Sequence, residues 1–75
     1  MKSNFELDWF EGLLRSNLIS FTGWTFDKKY QVKNAEQYKN EITKIVGTAA
    51  IGILVDVNYE VYIEGDTVRV TVSKI

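Results

Sequence analysis

The chain has 75 residues, 45% of them hydrophobic and 25% charged, with nine basic against ten acidic side chains and a formal net charge of −1. It contains no cysteine and no histidine, which excludes disulfides, thiolate zinc sites and the imidazole that serves most acid–base catalysts and metal centres. The near-neutral charge disfavours nucleic-acid binding by bulk attraction to phosphate, and with no apolar run of about 18 residues there is no candidate for a membrane-spanning helix.

A helix is predicted over about residues 4–17. Ser3 with Glu6 reads as a capping box, and Glu6 and Asp8 favour the positive end of the helix dipole. Phe5, Trp9 and Leu13 form one apolar row and Phe10, Leu14 and Leu18 a second beside it, and both are expected to face the core. Trp24 is assigned to the core as well. Gly12 interrupts the helix, which predicts close approach of another element. Residues 18–33 are expected to be β-rich, with strands at Ile19–Phe21, Trp24–Phe26 and Tyr30–Lys33 and a turn at Asp27-Lys28-Lys29; a single bent strand is the alternative.

A second helix is predicted over about residues 35–46, opened by Asn34 with Gln37 as a capping box and stopped by Gly47. Its apolar face is Ala35, Tyr38, Ile42, Ile45 and Val46. The small, uncharged stretch from Gly47 to Leu54 suits a further helical turn, a loop or a strand start. The clearest signal is C-terminal. A β-hairpin over about residues 53–64 and 67–74 turns at Gly65-Asp66, which sets Tyr59 opposite Val72, Val61 opposite Val70 and Ile63 opposite Val68. The expected fold class is α+β: one small domain over residues 1–75, with an antiparallel sheet packed against two helices. A core of this size rarely supplies more than ~3–5 kcal/mol unaided, which makes a homo-oligomer a second route to stability.

Chemistry is sparse. No GxSxG, SxxK or P-loop is present. The carboxylate pairs Asp8/Glu11 and Glu60/Glu64 read as solvated surface charge, so no catalytic residue, metal or cofactor is assigned. The outward hairpin face carries Asp56, Glu60, Tyr62, Glu64 and Arg69 as candidate partner-binding residues, acidic with one aromatic and suited to a larger protein with a basic groove. The plainer account of Tyr62 and Arg69 is a cross-strand cation–π pair. Lys28, Lys29, Tyr30 and Lys33 form a weaker basic-plus-aromatic group for single-stranded nucleic acid. A small-ligand or nucleotide site at a subunit seam near Gly47–Gly52 is a further alternative.

In size and composition the chain resembles the many short, acidic, His- and Cys-free domains encoded by phages and mobile elements. Members of that genre, anti-CRISPR proteins among them, bind and block one host protein. The resemblance implies a non-enzymatic inhibitor working in the host cytoplasm and transfers no residue-level role. The residues Met1 to Glu6 lack the layout of a secretion signal, so a cytoplasmic location is expected.

Overall fold

A computed structural model describes the chain from residue 5 to residue 75. Its elements run α1 (Phe5–Ile19), β1 (Thr25–Gln31), a 3-10 turn (Ala35–Tyr38), α2 (Lys39–Leu54), β2 (Val57–Glu64) and β3 (Thr67–Lys74). The strands form an antiparallel sheet in the order β1-β3-β2. The helices pack on each other and on one sheet face, and among the described residues nothing covers the other. This is the α+β arrangement that alternation and helical periodicity predict.

The hairpin forms in the predicted register. Glu64 pairs with Thr67, Ile63 with Val68, Val61 with Val70 and Tyr59 with Val72. Gly65 has φ 60 while Asp66 has no positive φ, the pattern of a two-residue turn with glycine at its first central position. Val68, Val70 and Val72 of the central strand are fully buried. Burial of that kind contributes roughly 1.5–3 kcal/mol per side chain.

The helices depart from the prediction in instructive ways. In α1 the buried row is Leu7, Phe10, Leu14 and Leu18, whereas Trp9 is 47% and Leu13 36% exposed. The Trp9/Leu13 row points away from the sheet, and Trp24 is 75% exposed in the loop before β1, so neither tryptophan is core. No heavy atom comes within 4 Å of a Cβ built on Gly12, so no element of the described chain explains that glycine. The Ser3 cap lies outside the described residues.

Residues 18–33 hold one strand, as in the single-strand alternative, and it spans only Thr25–Gln31. Ile19 ends α1, and Asp27, Lys28 and Lys29 lie inside β1, where all three pair with β3. Continuous pairing to the central strand replaces the turn, which lacked a residue suited to the left-handed region. Asn34 is left-handed (φ 60, ψ 36) and makes no side-chain cap, so the predicted capping box does not form. Its N–H donates instead to Asp66 Oδ1 (3.0 Å), which ties the chain to the hairpin turn. Gly47 does not stop α2: buried Val46, Ala49 and Ala50 carry the apolar face onward, and the helix runs to Leu54. The first hairpin strand therefore begins at Val57, after a turn at Val55 and Asp56. Val55 has φ 68 and ψ −97, a strained conformation for a β-branched residue.

Candidate functional site

Alternation along the strands sends every second side chain to the open face. Reading across β1, β3 and β2, its rows are Thr25, Ser73 and Asn58; Asp27, Thr71 and Glu60; Lys29, Arg69 and Tyr62; and Gln31, Thr67 and Glu64. Tyr62 is the sole large apolar side chain in this array. The structure thus brings together Glu60, Tyr62, Glu64 and Arg69 as the sequence predicted. Asp56 stands apart, in the turn before β2, where its carbonyl accepts the N–H of Ile75 (3.3 Å).

A residue the sequence did not single out organises the face. Asp27, on the far strand, accepts two hydrogen bonds from the Arg69 guanidinium, at 3.0 and 2.7 Å. This two-pronged bond, reinforced by charge attraction, holds the Asp27 carboxyl below its ordinary range and the Arg69 guanidinium above its own. Arg69 also lies 5.8 Å from the centroid of the Tyr62 ring. The Tyr62 hydroxyl donates to Glu60 Oε1 (2.6 Å), and that bond raises the phenol pKa. A polar chain, Asp27–Arg69–Tyr62–Glu60, therefore crosses all three strands. Reading β1 as one strand with Phe26, Tyr30 and Val32 on its buried side would have placed Asp27 opposite the hairpin; Lys28 interrupts that alternation and hid it.

The basic-plus-aromatic group is dispersed. Tyr30 is 4% exposed, packs edge-on against Phe10 (5.3 Å between ring centres), and donates its hydroxyl to Asn17 Oδ1 (2.8 Å). Burial pushes its phenol up to about 12. It offers no ring for a base to stack on. Lys29 is on the open face, while Lys28 is on the helix side of β1, exposed at its rim beside the end of α1.

A groove of about 640 Å³ lies between α2 and β2, its walls including Lys39, Thr43, Lys44, Ile51 and Tyr59 and its floor at Gly47. It occupies the Gly47–Gly52 region considered for a ligand pocket. Among the described residues no cluster of three or more carboxylates is arranged to hold a metal ion, and no helix is long and apolar enough to cross a membrane. Comparison with protein-family models, curated proteins and solved structures finds no match.

Proposed function

We propose that this chain is a small non-enzymatic protein-binding module that captures and inhibits a larger protein, in the manner of phage or mobile-element counter-defence proteins. The observation that supports it is the charge balance of the open sheet face. Asp27 neutralises Arg69, and of the remaining charges the carboxylates Glu60 and Glu64 line β2 while the face's single cation among the described residues, Lys29, lies across it on β1. A basic surface on the partner suits that arrangement, with Tyr62 as a half-exposed aromatic contact. The test is capture of a host protein by tagged chain, comparing the parent with the Glu60→Lys/Glu64→Lys double variant. Loss of capture at unchanged stability is expected. Equal capture by both would refute this use of the face.

A second reading rests on the groove beside α2, where Lys39, Lys44 and the Tyr59 hydroxyl suit a small anionic ligand held by the chain or at a seam between copies. Native mass spectrometry of freshly purified protein tests it: a bound small molecule is expected, and a bare monomer counts against it.

A further inference from the structure

The two outer strands of the sheet differ in how they are defended. An edge strand exposes a row of unpaired main-chain N–H and C=O groups, and proteins commonly block such edges with inward-pointing charges, prolines or bulges. On β1 the inward side chains are Phe26, Lys28 and Tyr30, so a lysine stands among the apolar residues of that edge. On β2 the inward side chains are Val57, Tyr59, Val61 and Ile63. None is charged, and the register with β3 has no bulge.

The hydrogen-bond phase of the sheet places the free groups on those same residues. Ile75 N–H donates to the Asp56 carbonyl, and antiparallel bonding repeats every second residue, so Asn58, Glu60, Tyr62 and Glu64 bond to β3. Val57, Tyr59, Val61 and Ile63 direct their N–H and C=O groups outward. Among the described residues no other backbone group bonds to them. Their side chains are half-buried, whereas the neighbouring Val68, Val70 and Val72 are fully buried. The groove beside α2 meets this edge at Tyr59.

Deepening the protein-binding reading above, on which it rests, we infer that β2 is a docking edge for an extended strand of the partner protein, apolar at alternate positions and carrying Lys or Arg at the positions between. Main-chain bonds to Val57, Tyr59, Val61 and Ile63 would add the strand to the sheet. Its apolar side chains would cover the half-buried row and enter the groove. Its basic side chains would emerge on the open face beside Glu60 and Glu64, which have no basic neighbour on their own strand. The same acidity argues against a second copy as occupant, because two β2 strands would set carboxylates against carboxylates.

The test uses the whole chain with a short capped peptide alternating lysine and valine, a counterpart with glutamate in place of lysine, and amide hydrogen exchange read residue by residue. The lysine peptide should slow exchange at Val57, Tyr59, Val61 and Ile63 by roughly 10-fold or more, leaving their already bonded neighbours unchanged. Glu60→Gln and Glu64→Gln should each weaken binding by about 2- to 5-fold, and salt should weaken it further. Val61→Pro, which removes an outward N–H and no ladder bond, should abolish the effect. If that variant fails to fold, Val61→Lys blocks the edge in the way Lys28 blocks β1. Four results would each overturn the inference: no protection, protection at Asp27 and Lys29 instead, equal protection by both peptides, or a peptide-free dimer that already protects the four amides. If capture of the host partner is lost in the double charge reversal but unchanged in Val61→Pro, strand addition falls while protein binding through the open face stands. If the peptide docks but charge reversal leaves capture unchanged, the proposed use of that face falls instead.

Discussion

Gly47 offers the sharpest test of how α2 sits on the hairpin. A Cβ built there lies 2.6 Å from the Tyr59 hydroxyl oxygen and 3.1 Å from the ring carbon that bears it. Alanine in a helix interior is favoured over glycine by about 0.8–1.0 kcal/mol. Against that gain, the ring must move until carbon contacts reach ~3.5–4 Å, and forcing a methyl into a packed contact costs roughly 1–3 kcal/mol. Gly47→Ala is therefore expected to be neutral to destabilising by up to about 2 kcal/mol. With Tyr59→Val in the background the obstruction is gone, and the same substitution should stabilise by about 1 kcal/mol. The difference is a coupling energy of about 1–3 kcal/mol, measurable as a double-mutant cycle in urea denaturation. Gly12→Ala is the control, since nothing lies within 4 Å of its Cβ position, and it should stabilise outright by about 1 kcal/mol. In a domain of this size that is roughly 4–8 °C in Tm. If Gly47→Ala stabilises the parent as much as Gly12→Ala does, Tyr59 does not lie over Gly47, and the packing of α2 on β2 is wrong.

Val55→Gly should stabilise by about 1 kcal/mol, because strain at φ 68 exceeds the extra unfolded-state freedom of glycine; thermal melting that shows a loss would refute the strain. Tyr30 should ionise well above the ordinary phenol range, because its ring is buried. Its folded pKa of about 12 lies above the ordinary 10.0, so its contribution to stability is complete below pH 10.0 and is lost as pH rises through about 12. Ultraviolet titration should show its phenolate appearing together with unfolding, and Tyr30→Phe, which breaks the bond to Asn17, should cost about 0.5–1.5 kcal/mol. Trp9 and Trp24, at 47% and 75% exposure, should give red-shifted emission and be quenched by acrylamide in the native state; blue-shifted, protected emission would contradict the packing of α1. Trp24→Ser should change stability by less than about 0.5 kcal/mol in urea denaturation.

Local patterns determined much of this fold. Strict alternation on either side of Gly65-Asp66 is sufficient for the hairpin, its register and the division of Glu60, Tyr62, Glu64 and Arg69 from the valines, because a one-residue slip would expose every valine at once. The apolar face of α2 is legible for a similar reason: Ile42, Ile45 and Val46 recur at helical spacing, and all three belong to the core or pack against it. Tertiary structure decided the rest. In α1 the apolar residues wrap more than one face, and periodicity cannot say whether the row with Trp9 or the row with Leu14 meets the sheet; packing against α2 and β1 selects the second. Asp27, Lys28 and Lys29 resemble a turn in isolation and become a strand because the central strand supplies seven paired positions from Thr25 to Gln31. The polar chain on the open face, and the contrast between a guarded and an unguarded edge, depend on which strand lies in the middle. That order is a long-range choice, made when the helices and the turn at Asn34 carry the chain from one side of β3 to the other.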